Sequence, residues 1–158
     1  MDNVQKVAQH AEQITQFLLF DEKRHLIPRD FMISQKFITE KMRAYLVDWI
    51  AELHNKLKLM PETLYVTVGI IDRYLSLVNT VSKSELQILG VTALNIASKY
   101  EEIYTPDLKN LLRIGNLADA RESVLKMETL VLTCLQFDIT FPSVYRFIER
   151  FARLAQFS

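Results

Sequence analysis

The sequence predicts an all-α protein. Only 3 Gly and 4 Pro in 158 residues leave room for few tight turns. Apolar residues recur at three- and four-residue spacing, and helix-opening patterns recur between the apolar stretches. Residues from about 3 to 20 carry Val4, Val7, Ala11, Ile14, Phe17 and Leu18 as one amphipathic stripe. A non-periodic link broken by Pro28 follows. A second helix is expected over about 36–58 and a third over about 62–78, with Pro61 where a first-turn proline is tolerated. Ser82 with Glu85 forms a capping-box pattern opening a helix to about 102. Thr105-Pro106-Asp107 reads as cap, first-turn proline and acidic residue for a short helix. Asp119 with Glu122 repeats the capping-box pattern before a helix to about 135, and Pro142 opens a last one. No stretch reads as a strand.

At about 100° per residue, Met42, Leu46, Trp49, Ile50, Leu53 and Leu57 share one sector of the second helix, extended by Ala44, Val47 and Ala51. The apolar arc of roughly 220° is about twice what a one-sided surface helix needs. Such a helix is surrounded by others, or keeps part of its face for a partner, or both. Tyr45 falls beyond the arc's edge, beside Met42 and Trp49 and next to Glu52. A Met–Tyr–Trp patch rimmed by a carboxylate suits an apolar side chain with a neighbouring cation, and equally suits completion of a core. Arg43 falls inside the arc and needs a fixed carboxylate, because an unpaired buried charge costs several kcal/mol. Asp72, among Val68, Ile71 and Leu75, is the expected partner. Gly90, Ala93 and Ala97 make a smooth seam that another helix can approach closely.

Composition excludes several classes. Lys plus Arg and Asp plus Glu balance at 19 each, which removes the electrostatic case for nucleic-acid or membrane-surface binding. No apolar run approaches membrane-span length. Cys134 is the single cysteine and sits among apolar neighbours, so a buried thiol in a reducing compartment is expected. His10, His25 and His54 stand apart, without HExxH- or CxxC-like spacing, and no phosphate-cradling or nucleophile-elbow motif occurs. Glu101-Glu102 point about 100° apart on a helix, so they read as a solvated or partner-facing helix end. No catalysis, metal or cofactor is expected.

The segment Met42–Trp49, MRAYLVDW, resembles the opening of the cyclin box in A- and B-type cyclins. The similarity continues in register through PETLYVTVGIIDRYLS (61–76), LQILGVTALNIASKYEEIYTPDL (86–108) and KMETLVLTCLQFDITFPS (126–143). The GVTA…IASKYEEIY wording is nearer B-type than other members, with A-type open. The resemblance implies a five-helix box over 36–140, an N-terminal helix and linker over 1–35, and a further helix over 141–158 that starts a second box. It implies a non-catalytic subunit that binds and activates a cyclin-dependent protein kinase, acting in the nucleus, the cytoplasm or both. Lys99 and Glu128 match the family's charged kinase anchors, with Tyr100, Leu132, Phe137 and Ile139 as apolar neighbours and Glu101 at the edge. By spacing back from Met42, Ile14 and Phe17 fall where the family's N-terminal helix touches the kinase. Arg43 and Asp72 match an internal salt bridge. Met42, Tyr45, Leu46, Trp49, Glu52 and Gln87 match a docking patch for Arg-x-Leu-type substrate or inhibitor peptides, with Tyr45 replacing the usual aliphatic residue. The same fold serves transcription-type cyclins and general-transcription-factor boxes; the latter predict a basic face, against which the charge balance argues.

Overall fold

The structure is a computed structural model that describes residues 10–156. Among these residues it contains seven α-helices and two short 3-10 turns, and no strand. The helices are α1 (Ala11–Arg24), α2 (Glu40–Leu57), α3 (Pro61–Leu77), α4 (Lys83–Glu101), α5 (Leu108–Ile114), α6 (Arg121–Cys134) and α7 (Val144–Gln156). The all-α expectation holds. Val4 and Val7, assigned above to the first helix, lie outside the described residues.

The central element is α4. Every residue from Leu89 to Ser98 is buried, so this helix is enclosed on all sides. Helices α2, α3, α5 and α6 pack around it. The smooth seam on α4 is used as expected: a Cβ on Gly90 would crowd Leu46 and Ile50 of α2. The wide arc of α2 divides between the two predicted uses. Leu46, Ile50 and Leu53 enter the core, while Met42 and Trp49 are half-buried and Tyr45 is exposed.

Local chemistry explains most helix ends. Ser82 and Glu85 form the predicted capping box, and their hydrogen bonds hold the Glu85 carboxyl below the usual carboxylate range. Pro61 takes the first position of α3. Helix α2 starts later than expected, at Glu40, because the Thr39 hydroxyl accepts from the Met42 N–H and stops the helix there. Within the link, Phe31–Ser34 forms a 3-10 turn the pattern does not announce. Its neighbour Gln35 donates from Nε2 to the carbonyls of Leu75 and Val78 at 2.6 and 2.7 Å, closing the end of α3.

Three further expected starts are corrected. Helix α5 opens at Leu108 after Asp107, with no side-chain cap, and Thr105 lies outside it. Asp119 does not cap α6: it sits in the 3-10 turn Ala118–Ala120, which runs directly into Arg121, with Ala120 N–H donating to the Leu117 carbonyl. Helix α7 begins two residues beyond Pro142, at Val144, where the Ser143 hydroxyl accepts from the Arg146 N–H at 3.4 Å. Ser143 also donates to buried Glu62 at 2.5 Å, seating α7 against α3. No helix among the described residues is long and apolar enough to cross a membrane.

Candidate functional site

The residues matched to the kinase anchors come together from three elements. Lys99 ends α4, Glu128 lies mid-way along α6, and their side chains pair at 2.7 Å. Asn95, one turn before Lys99 on the buried part of α4, donates to the same Glu128 oxygen at 3.3 Å. Glu128 is therefore held in place from inside the bundle, while the Lys99 side chain stays half exposed. Tyr100 is 45% exposed and its hydroxyl meets Thr140 Oγ1 at 2.7 Å, tying the end of α4 to the segment after α6. Asn95 and Thr140 are not singled out by the sequence, since neither carries a pattern of its own.

That segment is built on an unusual turn. The Phe137 N–H reaches the Leu132 carbonyl and the Gln136 N–H reaches that of Thr133, a helix ending that normally takes glycine at the left-handed position. Here Gln136 and Phe137 have φ of 54° and 57°. Side chains strongly disfavour this region, so packing must hold the turn. It leaves Phe137 69% exposed, with Leu132 and Ile139 half-buried against the core. The α4–α5 loop exposes Ile103 and Tyr104 at 87% and 90%, an apolar pair the sequence reading passed over.

Glu101 and Glu102 diverge as their spacing requires. Glu102 Oε1 accepts from the Met60 N–H and the Thr63 hydroxyl and is a brace. The Glu101 carboxyl is pushed up by burial first and by Glu62 and Glu102 next, with Arg146 opposing.

On α1, Ile14 and Phe17 are exposed at 47% and 62%. The end of this helix is fastened by His25, whose Nδ1 lies 3.0 Å from the Asp21 carbonyl and whose Nε2 lies 3.0 Å from Asp138. Arg73 donates to the Asp138 carbonyl and stacks over Phe141. This tie crosses 113 residues of sequence and had no local signal.

Arg43 and Asp72 form the predicted pair, Nε to Oδ1 at 2.5 Å and a second nitrogen to Oδ2 at 2.6 Å. The hydrogen bond to Asp72 raises the Arg43 pKa despite partial burial.

On another side, Met42, Tyr45, Leu46 and Trp49 of α2 and Lys83, Leu86 and Gln87 of α4 line a groove of about 270 Å³. Glu52 lies beyond this lining, exposed, with Lys56 at 4.0 Å. Lys83 and Leu86 were not picked out by the sequence reading. Among the described residues no group of three or more His, Cys, Asp or Glu could hold a metal ion. Cys134 is half-buried rather than buried as expected, and that partial burial still pushes its thiol up, away from nucleophilic range.

These features define an all-helical box around one buried helix, with an ion-paired aromatic face and a separate apolar groove. The family described as "Cyclin, N-terminal domain" matches residues 13–140. Cyclin-B2-2 of Oryza sativa subsp. indica is 41% identical over 155 residues, 98% of this chain and 37% of the rice protein. Cyclin-B1-5 of Oryza sativa subsp. japonica is 44% identical over 154 residues, covering 98% and 34%. G2/mitotic-specific cyclin-2 of Antirrhinum majus is 47% identical over 126 residues, covering 80% and 28%. In fold, a viral cyclin from herpesvirus saimiri matches with a TM-score of 0.71 at 20% identity, over 84% of this chain and 56% of the viral one. The chain belongs to the cyclin N-terminal domain family, and it spans about a third of the length of these plant relatives.

Proposed function

We propose that this chain is the kinase-binding part of a B-type, mitotic-like cyclin, a non-catalytic subunit that binds and activates a cyclin-dependent protein kinase in the nucleus, the cytoplasm or both. The observation that carries the proposal is the Lys99–Glu128 pair, braced by Asn95 and flanked by exposed Tyr100 and Phe137. Rigid aromatic anchors beside oriented charges concentrate affinity in a protein interface. Leu132 and Ile139 complete the apolar floor, Glu101 stands at its edge, and Ile14 and Phe17 extend the contact from α1. Binding there would hold the kinase's regulatory helix, and with it the catalytic Lys–Glu pair and activation loop, in the active arrangement. The chain stabilises that state by its greater affinity for it.

Residues 36–140 form the box in this reading, 1–35 the preceding helix and linker, and 141–158 the first helix of a second box. The exposed stripe of Val144, Ile148 and Phe151 on α7 supports the last assignment, as a face awaiting further helices.

The test is phosphorylation of a generic substrate by a purified cyclin-dependent kinase, with and without the chain. Strong stimulation is expected. Lys99→Glu and Glu128→Ala should each weaken binding by about 2–4 kcal/mol, roughly 30- to 1,000-fold. Both should leave the helical signal unchanged. A Lys99→Glu variant that stimulates normally would show that the surface is misassigned.

The α2–α4 groove is proposed to dock Arg-x-Leu-type peptides, with the leucine between Met42, Leu46 and Trp49 and the cation towards Glu52. Tyr45 narrows the entry and adds a hydroxyl, and it is 64% exposed, so its replacement spares the core. In fluorescence polarisation with such a peptide, Tyr45→Ile should bind several-fold tighter and Gln87→Ala several-fold weaker. Identical affinities for both variants would move the docking site elsewhere.

A further inference from the structure

Thr105-Pro106 is the single Ser/Thr-Pro dipeptide in the sequence. The fold gives its hydroxyl little to do. Asp107, not Thr105, precedes α5, and Thr105 Oγ1 makes only a long 3.4 Å bond to the Ser98 carbonyl. Thr105 is exposed, in a non-helical stretch between α4 and α5 that also exposes Ile103 and Tyr104. Pro106 drives the residue before it towards extended backbone, the form in which a kinase cleft takes its substrate. Proline also presents no N–H. A cleft that accepts it must offer no acceptor next to the target hydroxyl, which is the property of proline-directed kinases.

We propose that Thr105 is a phosphorylation site for a proline-directed Ser/Thr protein kinase, and that phosphate there detaches the loop from α4 and weakens binding at the adjacent Lys99–Tyr100 face. The second half rests on the kinase-binding reading above. In the reaction, Thr105 Oγ attacks the γ-phosphorus of ATP. The bond to the β,γ-bridging oxygen breaks, ADP departs, and the hydroxyl proton passes to the modifying kinase's base.

The consequence follows from the surroundings. The modified side chain no longer donates to the Ser98 carbonyl and instead sets about −1.5 to −2 charges against the C-terminal turn of α4, the negative end of its dipole. Glu101 and Glu102 end that helix and Asp107 lies two residues on. Glu101 already resists ionisation, through burial first and the nearby carboxylates Glu62 and Glu102 next, with Arg146 opposing. Two cations are close in sequence. Lys109 is exposed on α5, and Lys99 is committed to Glu128 at 2.7 Å. A phosphate that captured Lys99 would dismantle the pair on which the partner surface depends. Repulsion and capture therefore act in the same direction.

The test incubates the chain with Mg-ATP and a purified mitogen-activated protein kinase as probe, and maps the product by mass spectrometry. One phosphate is expected at Thr105, absent from Thr105→Ala and at least tenfold slower to appear in Pro106→Ala. In the phosphorylated chain, amide hydrogen exchange over residues 102–108 should rise while overall helicity is unchanged. Affinity for a cyclin-dependent kinase should fall at least tenfold, whereas unmodified Thr105→Ala binds like the parent. No phosphate at Thr105 overturns the site. Phosphate there without a change in exchange or affinity overturns its effect. If the unmodified chain binds no cyclin-dependent kinase, the kinase-binding reading fails, and mapping and exchange still judge the site and the detachment of the loop.

Discussion

Gly69→Ala is expected to lower the melting temperature by about 4–12 °C, from an overpacking cost of about 2–3 kcal/mol. A Cβ at position 69 on α3 would collide with the ring of Phe141. An aromatic ring cannot fold out of the way as a flexible chain end can, so Phe141 must swing and carry its backbone with it. That backbone continues from Ile139 and Thr140, and Thr140 holds the Tyr100 hydroxyl. Phe141 also lies under the Arg73 guanidinium and 6.3 Å from the His25 ring, so the fastening of α1 loosens at the same time. The variant should thus lose affinity for the proposed kinase partner as well as stability. Thermal denaturation followed by circular dichroism reads the first effect, and Gly69→Ala/Phe141→Leu should recover part of it. A single variant that melts like the parent would show that Phe141 does not depend on the missing side chain.

Asp72→Ala should cost about 3 kcal/mol, roughly 6–12 °C in melting temperature. It strands the Arg43 guanidinium, whose side chain is only 28% exposed, between α2 and α3. The charge loses both hydrogen bonds and regains water only in part. Removing both partners should hurt less than the sum of the single changes, because Arg43→Ala/Asp72→Ala leaves no orphaned charge. A double-mutant cycle in denaturant measures the coupling. A value below about 0.5 kcal/mol would place the pair with ordinary surface ion pairs.

How much was legible differs from one residue to the next. Arg43–Asp72 was readable because a guanidinium inside an apolar arc demands a carboxylate, and one stood on the facing stripe of the next helix. The Ser82–Glu85 capping box was readable because both halves of its chemistry lie within four residues. The similar pattern at Asp119–Glu122 misled, since the chain enters α6 through the 3-10 turn Ala118–Ala120, which puts Ala120 and not Asp119 at the cap position. Helix ends with Lys58 and Gln136 in left-handed backbone gave no warning, as neither is glycine or asparagine. Thr105 was assigned to a cap from local order alone, while its hydroxyl turns back towards α4.

The groove was half legible. Met42, Leu46 and Trp49 share one helical sector by periodicity, but Lys83 and Leu86 complete the lining from another helix. The same holds for the surface proposed to face the kinase. Motif order supplied Lys99, Tyr100 and Glu128, and only the fold supplies Asn95 as the support of Glu128 and Thr140 as that of Tyr100.

By itself, then, the sequence determined the helical class, the helix starts whose caps are local, the family through motifs in order, and the half-buried Arg43–Asp72 ion pair through a charge that could not be left alone. Tertiary structure decided which apolar helix became the centre. Helix α2 has the wide arc, yet α4 is the one enclosed, because its Gly90, Ala93 and Ala97 let neighbours close in on it. It also decided the partners across 29 residues for Lys99 and Glu128 and across 113 for His25 and Asp138. Periodicity fixes the angle of a side chain about its own helix axis; which surface meets it at that angle depends on how all the helices pack together.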